Sequence, residues 1–304
     1  MPSLDQLPEY PELVGLEDEH RELLEVAFRQ TRPIISEATF AYQWLWRPYT
    51  DCHLSRHNGL LVLVCTSAKT GETYAFAPFS PNPEEAARAG VEILRADGPL
   101  DRLARVPEPV ADHLKDDPSL SLTHTRERAD YVHRAEDLRE LPGADFHAKR
   151  NQIRQFRRAC PEAEYHPIDA ELAEACSQFC RDWLEGHPKR DLPALQREVD
   201  TTRKMLSHAE WLGIEGGALL REGQVVAFAL GEPLNEDTIV ERVEKADTSC
   251  PGSYQAINQQ FARHVAQGYE WINREQDMGV RGLRRAKKSY KPDHLVRKYE
   301  VVSC

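Results

Sequence analysis

The sequence predicts an α+β fold with a mixed β-sheet. In the second half of the chain, the spacing of apolar residues gives the order helix, strand, helix, helix, strand hairpin, strand, helix, strand, helix, strand. Two turn signals, Asn58-Gly59 and Arg221-Glu222-Gly223-Gln224, predict antiparallel hairpins. A strand–helix–strand unit late in the chain makes a mixed sheet the expectation.

The first half of the chain is predicted to combine a helical lead-in with short strands. Apolar residues at helical spacing in Glu17–Gln30 indicate a helix that Pro33 ends. Pro83 opens an amphipathic helix that runs to Leu94. The aromatic-rich segment 40–47 is typical of core packing. The other predicted elements are a helix at 107–115 and strands at 51–57, 59–66, 72–77 and within 119–134.

The second half begins after a break at Pro142-Gly143, and we predict two domains, 1–145 and 146–304. Asp169 is placed to cap a helix in this half. The predicted helices cover 147–160, 169–183, 195–208, 253–267 and 281–289, and the predicted strands cover 164–168, 216–221, 225–231, 238–244, 269–275 and 295–302.

The composition is globular, with 304 residues of which 40% are hydrophobic and 29% charged. The longest apolar run, residues 59–65, is far shorter than the ~18 residues that a membrane-spanning helix needs. The N-terminus has acidic residues where a signal peptide has bases. We therefore expect a soluble, cytoplasmic protein with no transmembrane segment.

The seven cysteines form no CxxC pair, and the twelve histidines form no HxH or HExxH pattern. Cys176 and Cys180 share a helix face, but no further ligands at matching spacing accompany them. Free buried thiols and no metal site are therefore expected. A Walker loop, a GxSxG nucleophile elbow and a dinucleotide-binding fingerprint are also missing from the sequence.

Positive charge is concentrated in two segments of an otherwise acidic chain. The net charge is −11, yet residues 281–298 carry eight bases against Asp293, and residues 149–158 carry five bases and no acid. Without these segments the rest of the chain carries −23. This distribution predicts a local anionic ligand rather than general coating of nucleic acid, with solvated helix faces as the alternative.

Several motifs resemble one known family. They are Lys149-Arg150-Asn151, Gly231-Glu232, Val243-Glu244-Lys245-Ala246, Gly252-Ser253-Tyr254-Gln255-Ala256-Ile257-Asn258, Asn273-Arg274-Glu275-Gln276-Asp277-Met278-Gly279 and Leu283-Arg284-Arg285-Ala286-Lys287-Lys288-Ser289-Tyr290-Lys291-Pro292. The chain resembles the phosphatidylglycerol lysyltransferase C-terminal-like family, DUF2156, across residues 36–302. The resemblance implies two tandem GNAT-like (acyl-CoA N-acyltransferase) domains, each a mixed, mostly antiparallel sheet flanked by helices.

The resemblance also implies transfer of an acyl or aminoacyl group. Relatives move an aminoacyl group from aminoacyl-tRNA to a lipid headgroup and carry a large membrane domain, which is not expected in this sequence. The implied donor substrate is acyl-CoA or aminoacyl-tRNA, and no metal is expected. The implied acceptor is a small molecule or a lipid headgroup, and tRNA is a further candidate partner. The oligomeric state is left open.

Acyl transfer needs a base for the acceptor, stabilisation of the carbonyl oxygen, and contact between donor and acceptor. Alternation along the predicted strand 270–277 puts Glu275 and Asp277 on one face as candidate bases. Glu241 and Glu244 fall on opposite faces of the strand 238–244, and Glu244 is preferred as a third candidate. Each acid has a structural ion pair with a nearby arginine as its alternative.

Tyr290 follows the basic helix. In many GNAT enzymes a tyrosine on the corresponding helix protonates the leaving thiolate, and the resemblance implies that role for Tyr290. The alternative is a packing tyrosine with its hydroxyl on the surface.

The turn 245–253 leads from a strand into a helix, where the GNAT fold binds the pyrophosphate of coenzyme A. An ordinary turn glycine is the alternative role for Gly252. The residues assigned to donor binding are Lys245, Gly252, Ser253, Tyr254, Asn258, Arg284, Lys287 and Lys288. The residues assigned to substrate binding are Lys149, Arg150, Asn151, Arg154, Asn273 and Arg274.

These patterns predict a soluble two-domain GNAT-like transferase. It would move an activated acyl group to an amine or hydroxyl acceptor such as a lipid headgroup, a peptide or a small metabolite. The alternative is a non-catalytic module that holds a phosphorylated ligand or RNA in a basic cleft between the domains.

Overall fold

The computed structural model describes residues 3–304, and these divide into two compact units. Unit 1 contains the residues up to Asp130 together with Gln276–Arg284 and Leu295–Cys304. Unit 2 contains Tyr131–Glu275 and Arg285–His294. Two seven-stranded mixed sheets, with helices between their strands, confirm the predicted α+β class.

The first sheet contains strands β1 to β6 and the C-terminal strand β14. In chain order the elements of this part are β1 (Val14–Gly15), α1 (Arg21–Thr31), α2 (Phe40–Trp46), β2 (Thr50–His57), β3 (Leu60–Ser67), β4 (Thr73–Ala75), α3 (Pro83–Arg95), β5 (Arg102–Pro107), α4 (Glu108–Ala111) and β6 (Leu120–His124), with β14 at Lys298–Ser303. The strand order is β1-β2-β3-β4-β5-β14-β6. The pair β4–β5 is parallel, and the other pairs of this sheet are antiparallel.

The second sheet contains the strands β7 to β13 in the order β13-β7-β12-β11-β10-β9-β8. In chain order the elements are β7 (Asp130–Arg134), α5 (Ala135–Glu140), α6 (His147–Ala159), β8 (Glu164–Pro167), α7 (Ala170–Glu185), α8 (Pro193–Ser207), α9 (Ala209–Leu212), β9 (Glu215–Arg221), β10 (Gln224–Pro233), β11 (Thr238–Ala246), α10 (Ser253–His264), β12 (Trp271–Asn273), α11 (Arg281–Lys288) and β13 (His294–Val296). The pair β11–β12 is parallel, and α10 connects its two strands.

The two sheets share one topology. In each, antiparallel strands lead through a helix to a parallel strand, by way of α3 in the first sheet and α10 in the second. On its other edge, the parallel strand pairs with an antiparallel strand from a distant part of the sequence. This strand is β14 in the first sheet and β7 in the second. Both sheets therefore take strands from either side of residue 145, and the division into 1–145 and 146–304 stays a prediction.

Local sequence explains most of the elements. At the hairpin turns, Asn58 and Gly59 have φ of 51° and 78°, and Glu222 and Gly223 have φ of 53° and 77°. Positive φ at both central residues matches the twist of hairpin strands. Asp169 caps α7, because its Oδ1 accepts a hydrogen bond of 2.9 Å from the Leu172 amide.

Three predicted segments differ from the structure. The predicted helix 107–115 is reduced to α4, and the strand β5 before it was not predicted. The predicted strand 269–275 is only the three residues of β12. The predicted strand 295–302 is divided at Arg297 into β13 and β14, which belong to different sheets. These short segments depend on their sheet partners more than on their own pattern.

The prediction of free thiols is wrong for one pair. Cys52 and Cys65 lie directly opposite each other in the register of β2 and β3, with their Cα atoms 4.1 Å apart, and form a disulfide. The sequence could not indicate this pair, because strand register brings the two residues together. The other cysteines are free, buried at positions 160, 176, 180 and 250 and exposed at Cys304.

Candidate functional site

A β-bulge in β11 places two carboxylates on one face of the second sheet. Leu230 of β10 pairs with Val243 and Gly231 pairs with Glu241, so Arg242 is an extra residue on β11. An extra residue reverses the alternation of side chains beyond it, and Glu241 and Glu244 therefore share a face. The prediction that they lie on opposite faces is wrong, because it assumed a regular strand.

The bulge depends on a glycine. A Cβ atom at Gly231 would lie 2.5 Å from the Val240 carbonyl oxygen and 2.6 Å from the Phe261 ring. Contacts below 3.0 Å do not occur for real side chains, so only glycine allows this close approach.

The parallel strands β11 and β12 separate beside the bulge. Residues Thr238–Val240 of β11 pair with Trp271–Asn273 of β12. Beyond these residues β11 continues to Ala246, whereas β12 ends. The Arg274 side chain bridges the gap between the strands. Its Nε lies 2.5 Å from Oε2 of Glu241, and its Nη2 donates to Oε2 of Glu244.

The carboxylates in this gap are shielded from water. The side chains of Glu241 and Glu244 are 2% and 14% exposed. Asn258 Nδ2 donates to both oxygens of Glu241, at 3.2 and 3.3 Å. Burial, and to a smaller extent the Glu241 carboxylate, raise the pKa of Glu244 to about 8 against the opposing effects of Arg274, Lys149 and Lys287. Glu244 is therefore a carboxylate that changes charge near neutral pH.

Tyr290 lies beside this gap, between two cations. Lys149 Nζ is 3.8 Å from the centre of the Tyr290 ring, and the Arg274 guanidinium carbon is 4.9 Å from it. The hydroxyl is buried and makes no hydrogen bond of standard geometry among residues 3–304. Burial and Glu244 raise the pKa of Tyr290, against the smaller lowering effects of Arg274 and the Gln255 side chain. The alternative with a surface hydroxyl is therefore wrong.

Cations outnumber carboxylates around Glu244. Burial, and to a smaller extent Arg274, lower the pKa of Lys149 to about 8 against the opposing effect of Glu244. Lys287 Nζ donates to the backbone carbonyl of Arg274. Arg274, Lys149 and Lys287 thus face Glu241 and Glu244, an arrangement that suits an anionic ligand or a developing oxyanion.

His133 supports the same group from β7. Its Nε2 lies 3.3 Å from the Lys287 carbonyl oxygen, so this nitrogen carries the proton. Burial lowers the pKa of His133 to about 3, with Arg274 as the next cause. The imidazole is therefore neutral in the folded protein at ordinary pH.

Glu275 takes part in a separate ion-pair chain. Its Oε1 lies 2.5 Å from Nη1 of Arg242, whose Nε lies 2.7 Å from Oε1 of Glu232. Glu275 has φ of 54°, so the chain leaves the extended conformation here. The predicted common strand face for Glu275 and Asp277 is therefore wrong, since β12 has already ended at Asn273.

Asp277 is fully buried in unit 1 and holds a turn. It accepts from Nε and Nη2 of Arg284 at 2.8 and 3.0 Å, from Arg126 at 3.3 Å, and from the Gly279 amide at 2.9 Å. These contacts give Asp277 a structural role. Catalytic roles for Glu275 and Asp277 stay predictions.

Residues predicted to bind the donor have partners within the protein. Lys245 Nζ lies 2.5 Å from Oε1 of Glu198 and 4.0 Å from the centre of the Trp183 ring. Ser253 Oγ donates to the Asp247 carbonyl oxygen at 2.7 Å. Tyr254 is half-buried and Lys288 is exposed. Their roles in donor binding stay predictions.

Gly252 is required by helix packing. It has φ of 83°, and a Cβ atom there would lie 2.0 Å from the Gln152 carbonyl oxygen of α6. This contact favours the turn-glycine alternative for Gly252, because packing alone demands glycine at this position.

The remaining predicted substrate-binding residues are not brought together. Arg150 donates to the Leu141 carbonyl oxygen, whereas Asn151 and Arg154 are exposed on α6. Asn273 is buried and its Oδ1 accepts from the Glu275 amide at 2.8 Å. Lys149, Arg274, Glu244 and Tyr290 are therefore the predicted site residues that the fold gathers, joined by Lys287 and Asn258.

Comparison with protein families identifies the relationship. Residues 28–302 match the family described as "Phosphatidylglycerol lysyltransferase, C-terminal". The chain belongs to this family. The resemblance inferred from the motifs is thereby confirmed. None of the curated proteins compared with this phosphatidylglycerol lysyltransferase C-terminal family member matches it.

Solved structures similar to this family member cover almost its whole length. A conserved protein of unknown function from Bacteroides thetaiotaomicron has 28% identity and a TM-score of 0.87, with 96% of this chain and 99% of that chain covered. L-PGS from Bacillus licheniformis has 16% identity and a TM-score of 0.65, with 97% and 93% covered. The C-terminal DUF2156 domain of an Agrobacterium fabrum protein has 15% identity and a TM-score of 0.63, with 93% and 91% covered. The last two likenesses concern the fold.

Residues 3–304 contain neither a metal-binding cluster nor a membrane-spanning helix. No cluster of three or more His, Cys, Asp or Glu side chains there is suited to a metal ion. None of the helices formed by these residues combines the length and apolar character needed to cross a membrane.

The sequence-based prediction passed over Glu241 in favour of Glu244 and did not include His133. The signal for Glu241 was Gly231 within a predicted strand, because an isolated glycine in a strand often marks a bulge. Glu198 and Trp183, which hold Lys245, carried no comparable signal, since they come from α8 and α7 and meet β11 only through tertiary packing.

Proposed function

We propose that this chain is an acyl- or aminoacyltransferase that moves an activated acyl group from acyl-CoA or aminoacyl-tRNA to an amine or hydroxyl acceptor. Membership of the family supports group transfer. The observation that carries the proposal is the buried carboxylate of Glu244, whose pKa is raised to about 8 in the gap between β11 and β12. A base with a pKa near the working pH is the most efficient at removing a proton.

In the proposed reaction, Glu244 takes a proton from the acceptor as its nitrogen or oxygen attacks the donor carbonyl carbon. The bond between that carbon and the donor sulfur or oxygen then breaks, and Tyr290 gives its phenolic proton to the leaving atom. Lys149 and Arg274 stabilise the negative charge on the carbonyl oxygen. After the transfer, protonated Glu244 releases its proton to solvent and the Tyr290 phenolate takes a proton from solvent, so that the enzyme returns to its starting state.

The environment of Tyr290 bears on the donor. Its raised pKa makes it a weak acid, which matches a strongly basic leaving atom. The alkoxide released from an ester is a stronger base than the thiolate released from a thioester. An aminoacyl ester is therefore the first donor to test, and acyl-CoA is the second.

We also propose that the two units are tandem GNAT-like domains. The shared order of antiparallel strands, connecting helix, parallel strand and antiparallel neighbour supports this.

The test is a transfer assay with labelled donors. The purified chain is incubated with lysyl-tRNA or acetyl-CoA, and with phosphatidylglycerol vesicles or a panel of water-soluble amines as acceptors. We expect labelled product with one donor, lost in Glu244→Gln and retained in Glu222→Gln, a matched exchange in a hairpin turn. Saturable donor binding without product, for every donor and acceptor, would favour the non-catalytic binding module instead.

A further inference from the structure

Two free cysteines of unit 2 meet beside the side chain of one arginine. Arg221 Nη1 donates to the sulfurs of Cys160 and Cys250, each at 3.7 Å, and the two thiols hydrogen-bond to each other. A disulfide forms only between cysteines whose sulfurs can approach without a large movement of the backbone. Cys160 and Cys250 meet this condition, because their thiols are already in contact.

The chain segments that carry the two cysteines pack against each other. Cys160 ends α6, where its amide donates to the Phe156 carbonyl oxygen at 2.8 Å. Cys250 lies in the turn between β11 and α10, and its amide donates to the Asp247 carbonyl oxygen at 3.2 Å. The same turn contains Gly252, whose backbone meets α6. A bond between the two sulfurs therefore joins elements that are already in contact.

The two cysteines lie just below the surface of unit 2. Each is 2% exposed, yet the residues on either side of each in the chain are exposed. These neighbours are Ala159, Pro161, Ser249 and Pro251. Arg221, at the end of β9, is also partly exposed. The sulfurs are therefore close to solvent, although the side chains around them shield them from it.

The surroundings of the two thiols differ. Burial, and then the hydrogen bond to Cys160 and the charge of the Cys160 thiolate, raise the pKa of Cys250 to about 11. Asp247, whose Oδ2 is 4.0 Å from the Cys250 sulfur, acts in the same direction, and Arg221 opposes it. Cys250 therefore stays protonated while Cys160 is ionised. A guanidinium beside a sulfur favours the reactive thiolate, and Arg221 supplies it to Cys160.

We propose that Cys160 and Cys250 form a redox-active dithiol, which a small-molecule disulfide such as oxidised glutathione converts to a protein disulfide. Cys160 is the attacking thiol and Cys250 is the resolving thiol. The contact between the sulfurs and their shared arginine carry the proposal.

The oxidation proceeds in two exchange steps. The Cys160 thiolate attacks one sulfur of the reagent and bonds to it, and the other half of the reagent leaves as a thiolate that takes up the proton released by Cys160. Cys250 then loses its proton to solvent, because the neighbouring thiolate charge is gone, and attacks the Cys160 sulfur. The second half of the reagent leaves and is protonated. Two protein thiols are thus oxidised, and one reagent disulfide is reduced to two thiols.

This inference goes beyond the proposed function, because it requires no donor, acceptor or transferred group. The two can fail separately. Oxidation of Cys160 and Cys250 does not require Glu244, and its measurement is the linkage between peptides and not the transfer of an acyl group.

The experiment is peptide mapping by mass spectrometry. The purified, folded chain is reduced, freed of reductant and treated with oxidised glutathione, and its remaining thiols are then alkylated. Digestion with trypsin and a glutamate-specific protease separates Cys160 from Cys176, because Glu162 lies between them. We expect a cross-linked pair of peptides that contains Cys160 and Cys250, and dithiothreitol should return both residues to thiols.

A matched pair in the same chain is the control. Cys176 and Cys180 are also free and buried, and they share one face of α7. Burial raises the pKa of both thiols, to about 12 for Cys180. We expect these two cysteines to be recovered in the alkylated form after the folded chain has been unfolded for digestion.

Single substitutions test the roles of the two thiols and of the arginine. In Cys250→Ser, glutathione should stay attached to Cys160, because the resolving thiol is gone, whereas Cys160→Ser should leave Cys250 unmodified. Arg221→Gln should slow disulfide formation about three- to tenfold by removing the cation beside the thiolate. Arg157→Gln, at an exposed base of α6, should keep the rate. Thermal unfolding checks that every variant is folded.

Three results would overturn the proposal. The first is recovery of Cys160 and Cys250 as alkylated thiols under conditions in which the exposed Cys304 takes up glutathione. The second is modification of Cys176 and Cys180 at the same rate, which would show that the reagent reacts with the unfolded chain. The third is glutathione trapped on Cys250 in Cys160→Ser but not on Cys160 in Cys250→Ser. The first two results come from the unaltered chain and are decisive even if a variant does not fold.

Discussion

At the scale of single residues, charged groups in unit 2 differ in how completely their neighbours compensate them. Glu275 has Arg242 as a direct partner, and Glu241 has both Arg274 and Asn258. Glu244 has one direct partner, Arg274, which it shares with Glu241, and burial outweighs that attraction. Incomplete compensation raises the pKa of Glu244 and makes it the candidate base.

The first prediction concerns the pH dependence of transfer. Because only ionised Glu244 can accept a proton, kcat/KM of the chain should rise about tenfold per pH unit below pH 8. Above pH 8 it should fall, because the pKa of Lys149 is lowered to about 8 and Lys149 then loses the charge that stabilises the carbonyl oxygen. Glu244→Gln should lower kcat/KM by about 10²- to 10⁴-fold and remove this rise. Glu275→Gln is the comparison and should keep the pH profile. If Glu275→Gln removes the rise and Glu244→Gln does not, the base is Glu275.

The second prediction separates a structural from a catalytic role for Asp277. Asp277→Asn removes the charge that holds Arg284 and Arg126, and both arginines are partly exposed. We expect a loss of about 2 kcal/mol in the free energy of unfolding, measured by urea denaturation. Asp293→Asn, at an exposed pair with Arg134, should change it by less than about 1 kcal/mol. Loss of transfer in Asp277→Asn protein that is still fully folded would support the catalytic role instead.

At the scale of elements, two glycines in unit 2 allow neighbouring elements to pack with their backbones in contact. Gly231 lets β10 meet the bulge of β11, and Gly252 lets the turn before α10 contact α6. Helix α6 carries Lys149, and the bulged strand carries Glu241 and Glu244. The packing of these elements therefore decides which side chains reach the site.

The third prediction compares two glycines with similar backbone conformations. Gly252 and Gly223 have φ of 83° and 77°, but only at Gly252 would a Cβ atom meet another residue, 2.0 Å from the Gln152 carbonyl oxygen. Gly223→Ala should cost about 1 kcal/mol of unfolding free energy, from backbone strain alone. Gly252→Ala should cost at least about 2 kcal/mol more, because α6 must also move. Equal losses in chemical denaturation would show that the contact with α6 is not important.

At the scale of the whole molecule, the gap between β11 and β12 couples stability to pH. The pKa of Glu244 is raised from 4.5 to about 8 in the folded state, so the folded state loses stability as pH rises through this window. The pKa of Lys149 is lowered from 10.5 to about 8, so stability is regained as pH rises from about 8 to 10.5. Together these two groups contribute a stability minimum near pH 8.

The fourth prediction tests the contribution of Glu244. The melting temperature of the chain should be lower at pH 8 than at pH 7, by about 2 °C or more. Glu244→Gln should abolish this fall, because it removes the group that loses its proton. An equal fall between pH 7 and pH 8 in both proteins would contradict the assignment. Differential scanning calorimetry is the measurement.

The sequence by itself determined the local elements and the family. Helix α7 with its Asp169 cap, the turns at Asn58-Gly59 and Glu222-Gly223, and most strands follow from the periodicity of apolar residues and from turn chemistry. These signals are readable because the interactions behind them join residues close together in the chain. The motifs from Lys149 to Pro292 likewise indicated the family to which residues 28–302 belong.

Tertiary structure alone decided which charged groups meet. The bulge at Arg242 reversed the faces of the acids on β11, and sheet register formed the bond between Cys52 and Cys65. The end of β12 separated Glu275 and Asp277 into different ion-pair networks. Each of these outcomes depends on contacts between residues distant in the sequence. A single residue inserted in one strand moves the side chains beyond it to the other face of the sheet. A strand that ends early leaves the residues after it free to take partners outside the sheet.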